Sequence, residues 1–309
     1  YVIVEDNKVY SHWRGAINLS AAWDSIVRRN LCIDSLDYGD GSYGGILSFP
    51  EKEEIQKTSE RNIVENNIVV GFNHSIWFGA EGNFADTGTA TKDYIVRNNH
   101  LLFPRDTVWR ITKTIDNAQF YNNLCVQHPS QSAVILERVT NGAQTITSDY
   151  NLYDGFTASG DADIDGPNDI FGAAGLVDQV SPYTVNDTTA RYMITAASAA
   201  YNAGSMTGVM AAAEDYFGNT RPYGATIDIG AHELGATIDE TPPNINCPNT
   251  LLSNGEFDSG LTNWFAQNMS IATTINGIAE LQGPSTFNQF YQNGISVTGG
   301  QSYVLRFVA

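Results

Sequence analysis

Between His74 and Glu137 the chain carries residue types that could cleave a polymer: His74, Glu81, Asp106, Arg110, Lys113 and Glu137. Removing the proton beside a uronate carboxylate needs a base and a cation or calcium to hold the developing charge. His74 or Lys113 could be that base and Arg110 the stabiliser. Hydrolysis of a glycosidic bond instead needs two carboxylates flanking it, and Glu81, Asp106 and Glu137 are the available acids. No spacing motif selects one chemistry. Arg110 with Glu137 also reads as a surface ion pair worth little, and His74 as an ordinary loop residue.

These residues lie within a recurring phrase. It reads Val4-Glu5-Asp6-Asn7, Val27-Arg28-Arg29-Asn30, Val64-Glu65-Asn66-Asn67, Val96-Arg97-Asn98-Asn99 and Phe120-Tyr121-Asn122-Asn123, with a looser copy at Ser148-Asp149-Tyr150-Asn151. Apolar residues flank each final Asn. Val, Ile, Tyr and Phe favour strands, and a repeat of 23 to 37 residues with strand character indicates a solenoid. Asn tolerates a left-handed backbone, so it suits a corner between strands. Stacked coils would bring these amides about 4.8 Å apart, within reach of a hydrogen-bonded ladder.

Counting from each ladder Asn places side chains on faces, because they alternate along a strand. Ten residues on are Ile17, Trp77 and Trp109; eleven on are Asn18, Phe78 and Arg110. An inward Arg would need a partner in an apolar core. The count therefore predicts Trp77 and Trp109 inside, and Asn18, Ser48, Phe78, Arg110 and Glu137 as an outer stripe. Arg14, His74 and Asp106 flank it at the preceding corner; Glu81 and Lys113 follow it. Insertions over 51–60 and 81–93 would wall a groove. Arg110, Lys113, His74 and Glu137 are the catalytic candidates, and Asn18, Arg14, Phe78, Glu81 and Asp106 the substrate-binding ones.

The pattern over 1–235 resembles the right-handed parallel β-helix proteins typified by polysaccharide lyases. Asp215-Tyr216-Phe217-Gly218-Asn219-Thr220-Arg221-Pro222 and Ile227-Asp228-Ile229-Gly230-Ala231-His232-Glu233 resemble the closing segment of many secreted bacterial β-helix proteins. The Asp, Arg and His of that run read as structural. Residues 235–250, with Thr241-Pro242-Pro243-Asn244, read as a linker. Asn254-Gly255-Glu256-Phe257 through Trp264 resembles the opening strand of carbohydrate-binding jelly-roll modules. The expected organisation is all-β: a β-helix over 1–234, the linker, and a truncated β-sandwich over 251–309. The resemblance implies sugar chains bound along the outer face. No lyase catalytic motif matches residue by residue, so none is carried over.

Lys plus Arg number 16 against 34 for Asp plus Glu, a net charge of −18. Such a surface repels phosphate backbones, which excludes nucleic-acid binding. No apolar run is long enough to span a membrane. The chain lacks an initiator Met and Tyr1 already sits in a strand phrase, so it reads as a fragment without its upstream coils. Cys32 and Cys125 would lie about 14 Å apart, three coil steps, beyond the roughly 7 Å a disulfide tolerates. Asp161, Asp163, Asp165 and Asp169 read as a solvated loop, with calcium as the other reading. The Ala-rich stretch 196–215 predicts a short helix over the end of the solenoid. The expectation is a monomeric, extracellular or cell-surface bacterial protein. It would cleave an acidic polysaccharide by β-elimination, with glycoside hydrolysis second and a non-catalytic adhesin third.

Overall fold

A computed structural model describes residues 2–10, 15–20, 22–34, 44–48, 59–79, 91–112, 114–128, 130–138, 144–178 and 189–235. It also describes five strands between Phe265 and Leu305. Each copy of the phrase forms a short strand, a two-residue corner and a second short strand: Ile3–Glu5 and Lys8–Tyr10, Ile26–Arg28 and Leu31–Ile33, Ile63–Glu65 and Ile68–Val70, Ile95–Arg97 and His100–Leu102. All pairing among these strands is parallel. The strands before the corners stack into a leading sheet and those after it into a trailing sheet. A third sheet holds Gly15–Asn18, Gly44–Ser48, His74–Phe78, Thr107–Ile111 and Val134–Arg138. The chain visits the three sheets in turn, adding a strand to each per circuit. This all-β arrangement is compatible with the expected solenoid.

The corner is where the sequence reading needs its first correction. The left-handed residue is not the ladder Asn but the one before it: Asp6, Arg29, Asn66, Asn98, Asn122 and Tyr150 have φ of 59°, 53°, 55°, 52°, 54° and 57°. That twist turns the following Asn inward. Asn7 Nδ2 donates to Asn30 Oδ1 at 2.8 Å, and the series continues through Asn67, Asn99, Asn123 and Asn151 at 2.9 to 3.0 Å. Each amide also satisfies backbone groups of its own and the preceding circuit, as Asn99 does with Arg97 and Val64 carbonyls. At the end, Asp169 Oδ1 accepts from the Asn151 N–H at 2.7 Å.

Val27, Val64, Val96 and Phe120 line the interior from the leading sheet; Cys32, Val69, Leu101 and Cys125 line it from the trailing sheet. Cys32 and Cys125 are buried and free, with Val69 and Leu101 in register between them, as the spacing predicts. Trp109 is fully buried and stacks on Phe120, ring centroids 4.5 Å apart.

The outer side of the trailing sheet is also apolar: Leu31, Ile33, Ile68, Val70, Leu102 and Leu124. The closing segment packs there, not over the end of the stack, with Leu176, Ile194, Ala200, Ile229 and Ala231 against those residues. The Ala-rich stretch forms turns and one short 3-10 turn at Gly208–Met210 rather than a helix. Its alanines act as small docking residues, so tertiary contact overrides helix propensity. The outward Asn of each double-Asn corner anchors it: Asn66 Nδ2 donates to Glu214 O, Asn122 Nδ2 to Ser205 O and Met210 O, and Asn98 Oδ1 accepts from the Ala212 N–H. Arg221 is buried and donates to Glu233 at 3.0 Å and to the Asp228, Gly230 and Glu214 carbonyls.

Two compact units are distinguished, Tyr1–Asp239 with Tyr303–Val308, and Glu240–Ser302. In the first, Val304–Leu305 pairs parallel with Ile3–Val4. In the second, Phe265–Gln267 pairs antiparallel with Gln289–Tyr291, and Ile271–Ile275 with Ile278–Gln282. The expected linker and the strand before Trp264 lie outside the described residues.

Candidate functional site

The third sheet positions the candidates, and its register differs from the count. Ile68 pairs with His100, but His74 pairs with Thr107, so the later circuit spends one more residue on its corner. Residues 103–106 turn where 71–73 did. The Asn73 carbonyl absorbs the extra residue by accepting from both the Asp106 and Thr107 N–H groups at 3.0 Å. A one-residue slip exchanges the faces of a strand. The outer row is therefore Asn18, Leu47, Trp77, Arg110 and Glu137. Asn18, Arg110 and Glu137 stand where expected. Phe78 is instead buried against Phe120, and Ser48 is buried with its hydroxyl on Tyr94 OH. Trp77, half-buried, takes the outward place.

Around this row a polar cluster forms on a largely apolar support. Arg110 Cζ lies 4.9 Å over the Trp77 ring. Trp77 Nε1 donates to Thr112 Oγ1 at 3.0 Å, and Gly79 leaves room for that contact, since a Cβ there would strike both partners. Arg110 Nη1 donates to His74 Nε2 at 2.7 Å and lies 3.3 Å from Glu137 Oε2 and 3.9 Å from Asp106 Oδ2. With Nε2 accepting, the imidazole proton sits on Nδ1, 2.9 Å from Thr107 Oγ1. Burial first, and then the Arg110 charge, push the His74 pKa down to about 3. His74 is thus neutral, and its one lone pair is already engaged.

His74, Asp106 and Glu137 each offer a potential ligand atom within 4.8 Å of the others. Arg110 Nη1 reaches all three, so the guanidinium holds the position a cation would take. In the aspartate-rich loop, Asp161 and Asp163 pair with Arg138 at 3.1 and 3.0 Å, and the Asp165 carboxylate accepts from the Ser159 and Gly160 N–H groups.

The structure therefore brings together His74, Asp106, Arg110 and Glu137. Asn18 lies on the same row, exposed, two strands beyond Trp77. Phe78 belongs to the core. Arg14, Glu81 and Lys113, with most of both insertions, lie outside the described residues. The count missed Trp77 and Leu47. The signal that could have found them is the length difference between the corners at 71–73 and 103–106. Comparison of the chain with protein-family models and with curated proteins found no match. No helix of the described residues is long and apolar enough to cross a membrane.

Proposed function

We propose that this chain is a secreted or cell-surface bacterial polysaccharide-active protein. In this reading it is a right-handed parallel β-helix of the polysaccharide-lyase-like type followed by a carbohydrate-binding jelly-roll module. The polymer lies across the outer row of the third sheet, and the reaction is hydrolysis, with Asp106 and Glu137 as the carboxylate pair. The observation that carries this is the approach of carboxylate oxygens from Asp106 and Glu137 to within 4.8 Å beside the half-buried Trp77. Retaining glycosidases hold their two carboxyl groups about 5 to 5.5 Å apart. Elimination from a uronate is supported less. A substrate carboxylate would join two carboxylates already facing Arg110, on a chain of net charge −18. The described base candidate, His74, is neutral with its lone pair on Arg110.

The second reading, a non-catalytic adhesin, is favoured by the pairing of every charge in the cluster. Incubation with a panel of neutral and acidic polysaccharides separates the readings. New reducing ends without unsaturated-uronate absorbance, lost in Glu137→Gln and Asp106→Asn, support hydrolysis. Unsaturated products would return the reaction to elimination, and binding without either product would leave the adhesin.

A further inference from the structure

Two histidines stand in the contact between the closing segment and the trailing sheet. His100 occupies the outward row of that sheet, in register between Ile68 and Leu124, and is fully buried. Gly230 of the closing segment packs against its ring, where a Cβ would come within 2.4 Å of Cδ2 and Nε2. His232 is buried two residues further on, edge-on to Phe217. Both nitrogens of each ring are buried without a hydrogen-bond partner. The Tyr192 backbone lies beside His100 but closes no hydrogen bond of normal geometry. A neutral imidazole is costly to bury unpaired. An imidazolium, with two N–H donors and a charge, is far costlier.

The carboxylates around the two rings are already engaged. Glu233 accepts from Arg221 and from the Tyr223 and Asp228 N–H groups. Asp215 accepts from the Phe217 and Asn219 N–H groups, and Asp228 from those of Asn202 and Leu234. Across the contact, Glu65 of the leading sheet pairs with Arg97. At the periphery Glu214 pairs with Arg29 and Asp178 with Arg191, and burial holds Tyr216 protonated. The Arg221 charge opposes a proton on either ring, and a charged His232 opposes one on His100. Among the charged groups Asp215 alone favours one, at His232. Burial first, and these charges second, bring the pKa to about 3 at His100 and about 4 at His232. Asp228, raised to about 6 by burial, gives up its charge before either ring takes one on.

We propose that the closing segment is an acid-released latch: protonation of His232 and His100 drives residues 189–235 off the trailing sheet while the stacked circuits stay assembled. The inner side of the same sheet is apolar, with Val69, Leu101 and Cys125, and the ladder amides do not titrate. His74, outside the contact, faces Asp106 at 3.7 Å, so a proton there meets an anion. The docking contact is therefore where acid places unpaired charge. Both rings are neutral in the docked state, so docking is complete above 6.5 and is lost as pH falls toward 4 and 3. A unit held by a separate contact can open below the free energy of global unfolding. Release bares the outward apolar row of the trailing sheet, Leu31, Ile33, Ile68, Val70, Leu102 and Leu124. The latch is independent of what the Arg110 row does.

Hydrogen exchange of the full chain between pH 6 and 3, corrected for the intrinsic pH dependence of exchange, tests this. Peptides from 194–234 should lose at least tenfold in protection as the pH falls, while those covering 63–70 and 95–102 keep theirs. Return to pH 6 should restore the protection. His100→Leu/His232→Leu should keep the segment docked at the lowest pH. If that variant does not fold at pH 7, glutamine at both positions carries the same expectation. Segment and stack losing protection together at one pH overturns the proposal. So does a segment still protected at pH 3, or release at an unchanged pH in a folded double variant.

Discussion

Trp77 pairs across the third sheet with Arg110, not with Trp109, and the guanidinium lies over its indole. One tryptophan is thereby turned to the surface while the other stays in the core. The pairing also ties the orientation of the aromatic ring to the charge cluster.

The first prediction concerns that orientation. A methyl group at position 79 would collide with Thr112 Oγ1 and Trp77 Nε1. Gly79→Ala should cost about 1 to 3 kcal/mol of stability and shift the tryptophan emission. The shift should vanish when measured in a Trp77→Phe background; if it persists there, another tryptophan has moved.

Arg110 lowers the His74 pKa through its charge, after burial. In Arg110→Gln the imidazole should titrate at higher pH than in the parent, yet still below 6.5 because the burial remains. The histidine ring-proton shifts followed by NMR against pH report this directly. An unchanged His74 titration would mean that the pair at 2.7 Å does not persist in solution.

Asn99 sits mid-ladder, donating to Val64 O, Arg97 O and Asn123 Oδ1 and accepting from Asn67. Truncation leaves several buried partners unsatisfied, at roughly 1 to 3 kcal/mol each. Asn99→Ala should lower unfolding free energy by at least about 3 kcal/mol in urea titration. A loss under about 1 kcal/mol would show that relaxation or water replaces the ladder.

The pH dependence of stability has two opposing parts. His74 and His100 are held neutral by burial, with pKa values lowered to about 3, and His232 to about 4. Their contribution is complete above 6.5 and is lost as pH falls toward those values. Asp169 and Asp228 are raised by burial to about 6, so theirs is complete below 3.8 and is lost as pH rises through 6. Between 6 and 4 the two aspartates offset two of the three histidines and leave a shallow net loss; between about 4 and 3 the aspartate gain has ended and the loss from His74 and His100 remains. Melting temperature should therefore fall gently from pH 6 to 4 and more steeply between about 4 and 3. A steep fall already at pH 6 would show that the two aspartates do not bind protons there.

The scaffold was legible because the ladder Asn, its apolar flanks and the two cysteines repeat in register. The Arg110, His74, Asp106 and Glu137 grouping was legible for the same reason. What the count could not see is a single extra residue between Leu102 and Thr107, since a ruler anchored at Asn99 carries no information about the next corner. That one residue exchanged Trp77 with Phe78. The docking of the closing segment was hidden differently: nothing in the phrase marks Asn66, Asn98 and Asn122 as anchors, and it is their left-handed backbone that aims them outward. The failed helix at 196–215 was a propensity reading of alanines whose small size serves packing.

The amide ladder has a polarity. Each side chain hands its NH₂ to the oxygen of the next, from Asn7 through Asn151, so the dipoles add head to tail as peptide units do in a helix. The partial positive end falls at Asn151, where the carboxylate of Asp169 receives it. The stack therefore has chemically unequal ends, and Asp169 does for it what an acidic N-cap does for a helix. A repeat inserted within the run would continue the series, whereas one added after Asp169 would have to begin against an anion.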